Sequence, residues 1–161
     1  MTDFAALLSA LGKHKVDFVV VGGAAAIVHG SARLTQDLDI VYSRSPLNIG
    51  RLVEALADLK PYLRGAPPGL PFTWDSATLR RGLNFTLVTS LGDIDLLGEI
   101  PGGGTWEALH TDAIRLNVFG TECLCLSLDQ LIRAKIAAGR PKDLEAIAEL
   151  EAIREERGSE P

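Results

Sequence analysis

Residues 19–42 read VVVGGAAAIVHGSARLTQDLDIVY, and the fold turns on how this stretch is parsed. The run from Val16 to Val21 is short, apolar and rich in β-branched side chains, which predicts a buried strand. Gly22-Gly23 ends it abruptly. Ala24 to His29 are good helix formers up to Gly30, so a short helix follows, closed by that glycine. From Thr35 to Tyr42, Asp37 and Asp39 alternate with Leu38 and Ile40, the signature of a second strand. A strand that runs through glycines into a helix aims backbone N–H groups at an anion, and glycine lets a phosphate approach without a Cβ in the way. Asp37 and Asp39 project from one face of their strand with Cα atoms about 6.6 Å apart. Two carboxylates so placed suit a hard divalent cation that also grips phosphate. Alone, a Gly-Gly is a tight turn and a D-x-D is a solvated edge. Joined on one strand–turn–helix–strand path, they point to a site.

Around this centre the chain reads as follows. Residues 3–13 carry Phe4, Leu7, Leu8 and Leu11 at helical spacing. Pro46 suits the first turn of a helix whose apolar face is Leu52, Val53, Leu56 and Leu59. Residues 61–73, PYLRGAPPGLPFT, hold four prolines and two glycines and predict a loop or lid. Leu83–Val88 and Asp93–Leu97 read as strands joined by a tight turn, and Ile114–Phe119 with Glu122–Leu126 as another hairpin. Ser127 with Gln130 is a capping-box pair that opens a helix to about Ala138. Pro141 starts a last helix. The order αβαβα-ββ-ββ-αα predicts an α+β protein, read as a single unit with a core over 16–126 and a helical tail over 127–157.

Composition sets bounds. The 161 residues include 16 Lys+Arg against 21 Asp+Glu, a net charge of −5, with 47% hydrophobic and 23% charged residues. This is ordinary globular make-up and argues against both disorder and a basic nucleic-acid stripe. Uncharged runs fall far short of the roughly 18 apolar residues of a membrane span. Asp3 stands where a secretory signal would want basic charge. Cys123 and Cys125, two apart on one strand, are poorly placed to bridge, and no second cysteine pair exists for a metal ribbon. The expected compartment is the cytoplasm.

A second stretch, LGDIDLLGEI (91–100), again alternates acids with aliphatics. Asp95 lies deeper in its strand, whereas Asp93 follows Gly92 and reads as a turn residue, so Asp95 is the favoured third carboxylate. Gly-Gly, thirteen residues, then DLDI, followed by a later strand with IDLL, resembles the minimal nucleotidyltransferases of the DNA polymerase β superfamily. The tail LSLDQLIRAKIAAGRPKDLEAI (126–147), a helix with a Lys followed by a basic-Asp motif, is similar to the subgroup that includes abortive-infection-type nucleotidyltransferase toxins. Most members carry Gly-Ser where this chain has Gly22-Gly23, which removes one hydroxyl.

The resemblance implies a nucleotidyltransferase-like mixed β-sheet packed with helices, two of them C-terminal. It implies Mg²⁺, or Mn²⁺, on Asp37, Asp39 and Asp95, with Asp95 as the general base for the acceptor hydroxyl. Gly22 and Gly23 would hold nucleotide phosphates, Lys135 and Lys142 would be phosphate-side cations, and Asp143 a helper. Arg33, Thr35 and Ser31, just before the D-x-D, are further candidates for phosphate contact, with a surface ion pair an equal reading for Arg33 and a capping role for Ser31. The implied reaction moves a nucleoside monophosphate from an NTP donor to an acceptor hydroxyl on tRNA, protein or a small molecule, with release of pyrophosphate. A toxin–antitoxin or defence setting with a separately encoded protein partner follows from the same resemblance. Two rivals use the same residues: a non-catalytic antitoxin or regulatory subunit that keeps the fold, and a metal-dependent phosphoesterase with water as nucleophile. His29 reads as a packed or capping histidine, and Trp74 and Trp106 as core anchors.

Overall fold

The computed structural model describes residues 1–158. Helix α1 (Phe4–Lys13) starts at an Asp3 cap whose carboxylate accepts from the Ala6 N–H, and it buries Leu7, Leu8 and Leu11. Strand β1 (Phe18–Val21) is buried along its whole length. Strand β1 ends at Val21, where the glycines are expected to stop it, and helix α2 (Gly22–Val28) begins on the glycines themselves. Strand β2 (Asp37–Tyr42) follows, then α3 (Pro46–Leu56), capped by Ser45 with Pro at its start, and a 3₁₀ turn over Ala57–Leu59.

The proline-rich stretch is not all loop. Tyr62–Leu63 forms a short strand, β3, which pairs antiparallel with β4 (Phe85–Thr89), and α4 (Ser76–Arg81) lies between them. Two residues are too few for a period-2 pattern to register, and α4 is only six long. Both escape a reading by periodicity. Strand β5 (Gly92–Leu97) completes the hairpin with β4. A small ladder of β6 (Glu99–Ile100) and β7 (Gly104–Thr105) and a four-residue α5 (Trp106–Leu109) lead into the hairpin β8 (Ile114–Val118) and β9 (Thr121–Cys125). Helix α6 (Leu128–Ala138) opens with the full reciprocal capping box of Ser127 and Gln130 and closes at Gly139. After a 3₁₀ turn at Pro141–Asp143 comes α7 (Leu144–Gly158).

The main sheet has seven strands in the order β3-β4-β5-β2-β1-β9-β8. It is mixed: β2 runs parallel to β5 and β1 parallel to β9, while the remaining pairs are antiparallel. The two central strands alternate cleanly. Leu38 and Ile40 on β2, with Ile94 and Leu96 on β5, are 0% exposed and face the core. The acids between them face the other way. On that side lie α2 and the C-terminal pair α6 and α7. The N-terminus is tied to the end of β5, since the Asp3 N–H donates to the Leu91 carbonyl and the Asp93 N–H to the Thr2 hydroxyl. Cys123 and Cys125 are free, buried thiols, both pushed to high pKa by desolvation. His29 is a packed residue, its Nε2 2.7 Å from the Leu126 carbonyl and its Nδ1 3.1 Å from Arg157. Among the described residues no helix is long and apolar enough to cross a membrane.

Candidate active site

Parallel pairing of β2 with β5 sets the site. The register puts Asp37 beside Asp93 and Asp39 beside Asp95. With a side-chain period of two, all four carboxylates then leave the sheet on one face. Carboxylate oxygens of Asp37, Asp39 and Asp95 lie within 4.8 Å of one another, close enough to share one ion. All three offer hard oxygen donors, the set that Mg²⁺ and Mn²⁺ take.

The three acids are not equivalent. Asp39 is raised to a pKa of about 8, first by desolvation, then by the nearby charges of Asp37 and Asp95. Its Oδ1 is buried without a hydrogen-bond partner. A buried, unpartnered carboxylate oxygen facing two other acids is a costly arrangement for a protein to keep, and a bound cation would relieve it. Asp95 is also raised, by burial, with Arg64 pulling in the other direction. The residues present therefore fit a divalent metal.

Both glycines have a reason visible in the protein itself. Gly22 has φ +63, and a Cβ there would stand 2.3 Å from Asp39 Oδ2. A Cβ on Gly23 would stand 2.7 Å from Thr35 Oγ1. The pair thus lets α2 start hard against the acids. Thr35 in turn places its hydroxyl 3.3 Å from Asp37 Oδ1.

A cleft of about 420 Å³ opens over Asp39 and Asp95. Gly22, Leu97, Pro101 and Leu131 form its walls, and Lys135 and Arg140 bring positive charge to it. A second cleft of about 320 Å³ shares Lys135 and Arg140 and continues past Gly23, Thr35, Arg33 and Lys142. Asp143, buried, holds the cationic wall together. It accepts from Arg140 at 2.6 Å and lies 3.9 Å from Lys135 Nζ. Lys142 is exposed at the rim.

Ser31 and Arg33 are brought to the tail and not to the carboxylates. The Ser31 hydroxyl donates to Glu149 at 2.6 Å, and Arg33 pairs with Glu145 at 3.3 Å and Glu149 at 3.8 Å. Trp74 donates from its indole to the Val53 carbonyl, and Trp106 stacks on His110. Sequence reasoning missed Arg64 and Arg140. Arg140 stood inside the quoted GRPKD motif. Arg64 sits in a proline-rich stretch with no period to flag it, yet it reaches Asp95 Oδ1 at 2.8 Å, Asp93 Oδ2 at 3.4 Å and Asp37 Oδ2 at 3.7 Å.

No family model matches the chain, and no curated protein does. Among solved structures it is similar to a protein of Thermotoga maritima described as a "putative nucleotidyltransferase", at 17% identity and a TM-score of 0.55. The likeness covers 89% of this chain and 86% of that one. The fold is nucleotidyltransferase-like. At this identity the likeness speaks to the fold, and the acidic cluster is an independent observation made on this chain's own residues.

Proposed function

We propose that the protein is a metal-dependent nucleotidyltransferase that moves a nucleoside monophosphate from an NTP to an acceptor hydroxyl. The observation that carries this reading is the convergence of Asp37, Asp39 and Asp95 around the orphaned Asp39 Oδ1, in a cleft with Lys135 and Arg140 on its wall. The nucleotidyltransferase-like fold supports it.

In this reading Asp37, Asp39 and Asp95 hold the cation, which when bound neutralises triphosphate charge and polarises the α-phosphorus. Lys135 and Arg140, steadied by Asp143, take the phosphates in the cleft they line with the acids. Asp95 receives the proton of the acceptor hydroxyl, and its raised pKa brings it towards the range useful for a base. The acceptor oxygen forms a bond to the α-phosphorus as the bond to pyrophosphate breaks. The apolar stretch of Leu97, Pro101 and Leu131 offers a surface for a base or another flat group. A toxin–antitoxin or defence setting, with a partner encoded separately, belongs to the same proposal and rests on the tail motif alone.

A second reading draws on Arg64, whose guanidinium already neutralises Asp95. It makes the protein a non-catalytic member of the fold that binds a partner protein and takes up no metal. Calorimetric titration with each NTP, with and without Mg²⁺, separates the two. Metal-dependent binding that disappears in the Asp37→Ala, Asp39→Ala double variant supports the enzyme, and incubation with α-labelled NTP then reveals the acceptor. No binding to any NTP supports the second reading.

A further inference from the structure

Four carboxylates share one face of β2 and β5, two pairs in register. Among the described residues, every ion pair these acids make is with one side chain, Arg64. Its guanidinium spans Asp37, Asp93 and Asp95. It is also held by groups that carry no charge: Nη2 donates to the Leu87 carbonyl at 2.8 Å, and the Arg64 N–H donates to the Thr86 carbonyl at 2.9 Å. These bonds fix Arg64 to β4, the neighbour of β5, with its charge directed at the acids and its side chain only 26% exposed. Asp39, on the inner side towards Gly22, is the one acid of the four outside the fork's reach.

The site is therefore divided. Its outer side has a built-in cation, and its inner side has an orphaned oxygen. We propose that Arg64 is a positioning residue that acts as an internal counter-cation, so that a divalent metal enters the acidic site only in competition with its guanidinium. The inference rests on the metal-dependent reading above and adds to it a residue that sets how tightly the metal is held.

Competition and simple alignment predict opposite signs. If Arg64 only kept Asp95 in place, its loss would loosen the ligands and weaken metal binding. If it competes, its loss removes the positive charge beside Asp37, Asp93 and Asp95 and leaves those three acids without a counter-charge. Metal then binds more tightly, and the metal-free protein is less stable.

The test uses the full chain stripped with EDTA. Mn²⁺ binding is followed by electron paramagnetic resonance of the free ion, and melting is measured with and without Mn²⁺. Arg64→Gln is expected to bind Mn²⁺ at least about tenfold more tightly than wild type. It should melt lower in EDTA, with Mn²⁺ closing most of that gap. Arg64→Lys keeps the charge but cannot span three carboxylates and a carbonyl at once, so its affinity should lie between the two. Unchanged or weaker Mn²⁺ binding in Arg64→Gln overturns the inference. Should that variant fail to fold even with Mn²⁺, Arg64→Lys decides: tighter binding than wild type supports competition, and equal or weaker binding ends it. Asp39→Asn separates the two levels of the argument. Mn²⁺ bound by wild type, lost in Asp39→Asn and unaffected at Arg64 removes only the role of Arg64. Mn²⁺ bound by none of wild type, Arg64→Gln and Arg64→Lys removes the metal-dependent reading as well.

Discussion

Asp37-Leu38-Asp39 on β2 and Asp93-Ile94-Asp95 on β5 have the same acid–aliphatic–acid pattern and lie side by side in register. Their diagonal members differ most. Asp39 sits under the start of α2, desolvated, with one oxygen unpartnered. Asp93 sits at the N-terminal end of its strand, paired with Arg64 and with its N–H bonded to Thr2. An alternating pattern decides which face a side chain takes. What packs on that face decides its chemistry, and here that is a helix begun on glycine in one case and a solvated strand end in the other.

Substitution at the two positions gives the sharpest test of this contrast. Asp39→Asn is expected to abolish metal-dependent nucleotide binding by calorimetry while circular dichroism and melting show an intact fold. If Asp93→Asn abolished it equally, the distinction between the two strands would fail. A smaller effect concerns acidity. Between about pH 4 and pH 8 the folded, metal-free chain keeps a proton on Asp39 that the unfolded chain has released. The folded state binds more protons in that window, so stability should fall as the pH rises through it. Denaturant melts in EDTA across this range should show the decline for wild type and a flatter profile for Asp39→Asn. The same proton must leave when metal binds, so Mn²⁺ affinity should increase with pH up to about 8.

The glycine beside each acid extends the comparison. Gly22 has φ +63 and crowds Asp39, while Gly92 has φ +113 and crowds Thr2. Alanine at either position should cost about 1–2 kcal/mol for the left-handed backbone, with a steric penalty besides. Only Gly22→Ala should also weaken Mn²⁺ binding, because of the two only it pushes on Asp39, a proposed ligand. Both quantities can be read from melts and titrations of the two variants. The smallest effect is expected at Asp93→Asn, where Mn²⁺ affinity should stay within about threefold of wild type, as for a partly exposed charge.

How much of this was legible beforehand depends on the range of the signal. The capping box of Ser127 and Gln130, the alternation of β2 and the apolar spacing of α1 are written within a few residues, and each could be read directly. The face shared by Asp37 and Asp39 follows from the same local rule. Which strand lies beside them does not, because the parallel pairing of β2 with β5 joins segments more than fifty residues apart. Arg64 was invisible for that reason: it is defined by three acids on two other strands and by a carbonyl on a third. Ser31 and Arg33 lie next to the acids in sequence, but α7 supplies Glu145 and Glu149 to meet them, and the sequence gives no sign of that long-range packing.

The pairing of β1 with β9 has a consequence for how the chain assembles. These strands are neighbours in the sheet, yet about a hundred residues separate them. The acids on β2 and β5 are all present once residue 97 has left the ribosome, whereas Lys135, Arg140 and Asp143 come only after β9. During synthesis the negative half of the cleft is thus complete before its positive wall exists. Completing the sheet needs the last strand, and such a long-range contact slows folding relative to a fold built from local contacts.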